Sequence, residues 1–61
     1  MNKASLGQAE VLTTIHGTQG IFNKGDIVDI RYKFIESGNY LIGIGDKSVY
    51  ARPEELDLML N

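Results

Sequence analysis

From Val28 to Phe34, between the Gly25-Asp26 and Ser37-Gly38 turns, the chain alternates apolar and charged residues without a break. Val28, Ile30, Tyr32 and Phe34 fall on one side of an extended segment, and Asp29, Arg31 and Lys33 on the other. A period of two is the signature of a strand with one face in a core and one in water, and no helix tolerates it. The segment from Ile27 to Ile35 is therefore the strand around which any fold of this chain must be built.

The rest of the sequence punctuates itself in the same idiom. Glu10 to Ile15 (EVLTTI) is rich in β-branched residues and reads as a first strand, with Val11, Thr13 and Ile15 on one face. His16 to Gly25 is a polar, glycine-bearing connection that carries one apolar pair, Ile21-Phe22. Glu36-Ser37-Gly38-Asn39 is a hairpin turn leading into a strand from Tyr40 to Ile44, where Gly43 suits a bend or a bulge. Gly45-Asp46-Lys47 turns the chain again into Ser48 to Arg52, with Val49 and Ala51 inward and Tyr50 outward. Pro53 ends that strand, because it has no N–H to donate. Pro53-Glu54-Glu55-Leu56 has proline and acids where a helical turn begins, and Asp57 to Leu60 closes the chain as a short strand. A single helix over Pro53 to Leu60 is the competing reading, since Leu56, Met59 and Leu60 also have helical spacing. Residues 1–8 read as a loose arm and residues 9–61 as one domain.

Size limits what such a sheet can do. A 61-residue chain buries only roughly 60% of the surface it exposes when unfolded, and this one has no cysteine to staple it. The 43% apolar content is that of a globular chain. Six basic residues stand against eight acidic ones, a balance that weighs against non-specific phosphate binding by massed Lys and Arg. The opening residues show no apolar run of the secretory kind, and the expected location is the cytoplasm.

The order strand, long polar loop, three strands joined by short turns, one helical turn and a last short strand resembles the SH3-like barrel superfamily. The residues that carry the resemblance are Lys24-Gly25-Asp26-Ile27-Val28, Ser37 to Tyr40, and Arg52-Pro53-Glu54-Glu55-Leu56. It implies an all-β, five-stranded SH3-like barrel with one helical turn before the last strand. Many activities share that barrel. The branch that reads polyproline peptides carries a Trp and a Pro-x-x-Tyr, whereas this chain has no Trp and reads Pro53-Glu54-Glu55-Leu56. KOW-type barrels place basic residues beside the Gly-Asp turn, as Lys24 does here. Barrels of this size also occur among phage and mobile-element accessory proteins.

Few residues suggest chemistry. His16 is the only histidine and has no spaced partner among Thr13, Thr14 and Thr18. Gly43-Ile44-Gly45-Asp46-Lys47-Ser48 superficially resembles a phosphate-binding loop, but Asp46 replaces the required glycine and a strand follows. The acids Glu54, Glu55 and Asp57 suit a helix start better than a metal. Neither catalysis, a metal nor a cofactor is expected. The leading expectation is a protein-binding module using Phe22, Tyr32, Tyr40, Tyr50 and Arg52, since tyrosine combines contact area with a polar tip. The alternative is a nucleic-acid binder using Lys24, Arg31, Lys33 and Arg52 with stacking tyrosines. A third is self-association through edge strands at Glu10 to Ile15 and Asp57 to Leu60, giving a homodimer.

Overall fold

The computed structural model describes residues 6–59. They form seven strands: β1 (Gln8–Val11), β2 (Ile15–Gly17), β3 (Gly20–Phe22), β4 (Ile27–Lys33), β5 (Tyr40–Ile44), β6 (Lys47–Ala51) and β7 (Leu56–Met59), with one 3-10 turn at Pro53–Glu55. Five of them make an antiparallel sheet in the order β6-β5-β4-β1-β7, and β2 and β3 make a separate hairpin. The fold is all-β, as expected. Each strand of the main sheet overlaps one of the five expected, but that sheet is not closed into a barrel; it ends in two edges, β6 and β7.

Local chemistry explains the boundaries. Gly25 takes φ +94, and its N–H donates to the Val11 carbonyl at 2.8 Å. Val11 N–H donates in turn to the Asp26 carbonyl at 2.9 Å, while the Asp26 carboxylate accepts the Asn23 N–H at 2.9 Å. The Gly-Asp pair thus turns the chain and ties the start of β4 to the end of β1. At the other end Glu55 reaches back, its carboxylate accepting the Arg52 N–H at 2.8 Å as an acidic residue in a first helical turn does. The turn lasts three residues, and Leu56 resumes the extended conformation with φ -128. A helix over Pro53 to Leu60 is excluded by β7, whose Leu56 to Met59 pair with β1.

The expected first strand is two. β1 ends at Val11, Leu12 N–H donates to the Glu55 carbonyl at 2.8 Å, and the chain leaves the sheet before re-entering an extended course at Ile15. Val11 and Ile15 are both buried while Thr13, between them, is exposed, so the two strands share no continuous face. The polar connection from His16 is itself structured, as the β2–β3 hairpin with Ile15 opposite Phe22. Nor is β1 an edge: it lies between β4 and β7. The expected arm belongs in part to the sheet. Leu6 N–H donates to the Ile30 carbonyl at 2.9 Å, Ile30 N–H to the Gly7 carbonyl at 2.8 Å, and Gln8 opens β1. The arm's first five residues lie outside the described ones, as does Leu60 of the expected last strand.

The core is a single cluster: Ala9, Val11, Ile15, Phe22, Val28, Ile30, Tyr40, Ile42, Val49, Ala51 and Leu56. Among the described residues no polar or charged side chain is buried with it. The hairpin is its lid. Phe22 and Ile15 enter the core from that side, and Gly17 passes so close to Val49 that a β-carbon there would collide with it.

Ile42 is wholly buried at the centre of β5. Truncating such a residue costs about 2–5 kcal/mol, and a chain of this length has roughly 3–9 kcal/mol in total. Ile42→Ala is therefore expected to leave a large unfolded fraction at 37 °C, read as a collapse of the urea midpoint in circular dichroism.

Candidate functional site: an aromatic ladder on the outer face

The alternation along β4 breaks once. Ile30 opposes Ile42, but the next pairs are Tyr32 with Leu41 and Lys33 with Tyr40, so two residues of β4 stand against one of β5. The extra residue is Arg31, a β-bulge. Val28 and Ile30, before it, point into the core. Beyond it the faces exchange: Tyr32 turns outward, 54% exposed, while Lys33 moves to the side of buried Tyr40. A strand that reads as one amphipathic segment therefore delivers its aromatics to water.

Gly43 and Arg31 hold the bulge in place. The Arg31 guanidinium occupies the space above Gly43, where a β-carbon would come within 2.5 Å of Cζ and 2.7 Å of the Lys47 carbonyl oxygen. It donates to the Gly45 carbonyl at 2.6 Å and to Ser48 Oγ at 3.3 Å, joining the bulge to the β5–β6 turn. The missing side chain at Gly43 is the space the guanidinium occupies.

Downstream of the bulge three rings meet. Tyr32 and Phe34 are edge to face with centroids 4.8 Å apart, and Phe34 and Tyr50 are tilted at 5.5 Å. Leu41 pairs with both Tyr32 and Tyr50 across β5, so the ladder spans β4, β5 and β6. Aromatic contacts of this kind contribute about 0.5–1.5 kcal/mol beyond burial, a several-fold bias toward the observed arrangement, while Tyr50 remains 68% exposed. Tyr50 also stands where three shallow grooves converge. One runs to Thr14, His16, Asn39 and Arg52, a second to the β2–β3 turn and Ser48, and a third to Phe34, Glu36 and Ser37.

The expected binding residues divide. Tyr32, Tyr50 and Arg52 are on this surface. Phe22 and Tyr40 are not: both are core residues, at 2% and 9% exposure, because the hairpin folds inward and Tyr40 shares the core face of β5 with Ile42. Alternation alone places Tyr32 and Phe34 on the core face; beyond the bulge Tyr32 is exposed instead and Phe34 forms the middle of the ladder. The signal that it would emerge was Gly43, a bulge-tolerant position whose effect falls on the opposite strand.

The four basic residues do not gather. Arg31 is held by Gly45 and Ser48, and Lys33 lies across the sheet with its ammonium 5.7 Å from the Tyr40 ring centroid. Lys24 belongs to the turn between β3 and β4, its N–H donating to Thr14 Oγ1 at 3.3 Å. Arg52 is close to two carboxylates, 3.5 Å from Glu54 and 3.7 Å from Glu55. His16 is exposed in β2 opposite Ile21, and no three His, Asp or Glu side chains among the described residues are placed to hold a metal. No described helix is long and apolar enough to cross a membrane. The chain matches no family model, no curated protein and no solved structure.

The bulge can be tested through its two partners. Gly43→Ala should destabilise the fold by about 1–3 kcal/mol, the usual cost of overpacking. In an Arg31→Ala background the same substitution should cost less, because only the Lys47 carbonyl then obstructs the new methyl group. Chemical denaturation of the four variants reads the coupling, and strict additivity would show that Arg31 does not occupy the space above Gly43.

Proposed function

We propose that this chain is a non-catalytic protein-binding module, a small accessory or regulatory protein that docks on a larger partner through the Tyr32–Phe34–Tyr50 ladder. One observation carries the reading. Three aromatic rings lie contiguous on the solvent face of a sheet whose core is filled from the other side. Rigid aromatic side chains with few rotatable bonds are what interface centres favour, since little entropy is lost on contact. Asn39, His16 and Arg52 around Tyr50 supply a polar rim of the kind that surrounds such anchors.

The SH3-like resemblance belongs to the same proposal. The succession of strand, hairpin, three-strand meander, 3-10 turn and short strand supports it, and so does the Gly25-Asp26 turn that ties β4 to β1. A cytoplasmic setting is part of the same proposal; the absence of cysteine is compatible with it. Nucleic-acid binding is the weaker reading, since the bulge separates Arg31 from Lys33 and the acids of the turn attend Arg52.

The test is a peptide-display selection on the wild-type chain and on a variant carrying Tyr32→Ser, Phe34→Ser and Tyr50→Ser. Sequences enriched by the wild type should lose at least tenfold in affinity for the variant, about 1.4 kcal/mol, and should shift amide resonances of β4, β5 and β6 on titration. Binding that survives the triple variant would overturn the assignment. A retarded band with single-stranded nucleic acid that fades steeply with salt would favour the other reading.

A further inference from the structure

The two edges of the main sheet are treated differently. Along β6 the Ser48 N–H is accepted by Gln19 Oε1 at 3.0 Å, and the β2–β3 hairpin stands over that edge. Along β7 no described strand pairs on the side away from β1. Natural edges are blunted by lysine, proline, bulges or a covering loop. β7 reads Leu56-Asp57-Leu58-Met59, with regular pairing throughout and one acid as its only polar residue.

The phase of the ladder identifies which groups point outward. Leu12 N–H donates to the Glu55 carbonyl, so Val11 and Leu56 are a non-hydrogen-bonded pair. Glu10 with Asp57 and Gln8 with Met59 are then the bonded pairs, and Ala9 with Leu58 is again non-bonded. Asp57 and Met59 spend their backbone groups on β1. Leu58 directs both its N–H and its carbonyl away from the sheet, and neither has a partner among the described residues.

We propose that this edge pairs with β7 of a second copy of the chain, antiparallel about a two-fold axis at Leu58. A residue that offers one donor and one acceptor on the same side is self-complementary: each Leu58 donates to and accepts from its symmetry mate. The register also matches charge. With Leu58 opposite Leu58, each Asp57 faces Met59 of the other copy, whereas a register one step away sets Asp57 against Asp57. A two-fold perpendicular to the sheet keeps the same face inward in both copies. The Leu58 side chains, 40% exposed in one chain, then cover each other beside the apolar recess that Leu6, Ile30, Tyr40 and Met59 help to line. Such an interface is small, so the dimer is weak, with a dissociation constant on the order of 100 µM.

Sedimentation velocity from roughly 1 µM to 1 mM, a range that brackets that constant, is expected to show the weight-average mass rising from one chain toward two. Leu58→Pro removes the outward N–H without touching the pairing to β1, and should remain folded and monomeric throughout. Leu58→Lys keeps the amide but opposes two ammonium groups; association should weaken and recover partly at high salt. Tyr50→Ala, on the other face, should leave the dimer intact, which separates this interface from the proposed binding surface. A wild-type chain that stays monomeric over the whole range overturns the proposal. So does a dimer that persists in folded Leu58→Pro, or interchain nuclear Overhauser contacts that fall on the aromatic ladder instead of β7.

Discussion

A guanidinium lying where a side chain is missing decides what this surface can present. Arg31 fills the space above Gly43 and bonds to Gly45 and Ser48. That contact fixes one extra residue in β4, and the extra residue exchanges the two faces of everything beyond it. Without the bulge Tyr32 and Phe34 would continue the inward row begun by Val28 and Ile30. With it they join Tyr50 outside, and the core is completed by Tyr40 and by the hairpin.

The hairpin answers the problem of size. A five-stranded sheet of four- to seven-residue strands has one face to bury and little chain left to bury it with. The segment between β1 and β4 does so with two large apolar residues, Ile15 and Phe22, and with a glycine that lets the backbone press on Val49. Because no polar side chain of the described residues is buried, this core makes no demand for internal hydrogen-bond networks. Its stability rests on apolar contact and on the backbone ties at Gly25, Leu12 and Glu55.

Most of the fold was legible because its signals are local. Gly25-Asp26, the turn at Ser37-Gly38, the Gly45-Asp46 turn and the Pro53 stop each impose a backbone conformation within a few residues, and each acts where expected. The split of Glu10 to Ile15 was not legible. The bend between β1 and β2 is set by the partners of Val11 and Leu12, the carbonyls of Asp26 and Glu55, which lie 15 and 43 positions downstream. The site was half legible for a similar reason. Tyr50 faces outward by simple alternation, whereas Tyr32 and Phe34 do so through a bulge that depends on a glycine in the neighbouring strand. Tyr40 and Phe22 were misplaced because composition marks an aromatic residue as useful without saying which way it points.

The pairing of β1 with β7 has a consequence for how the chain can be reconnected. Gln8 lies opposite Met59, at adjoining positions on neighbouring strands. The start of β1 and the end of β7 therefore meet at one corner of the sheet, a strand's width apart. A short linker joining those two strand ends would close the sheet's chain into a ring. New ends could then be cut at the exposed Gly45-Asp46 turn, leaving every strand whole.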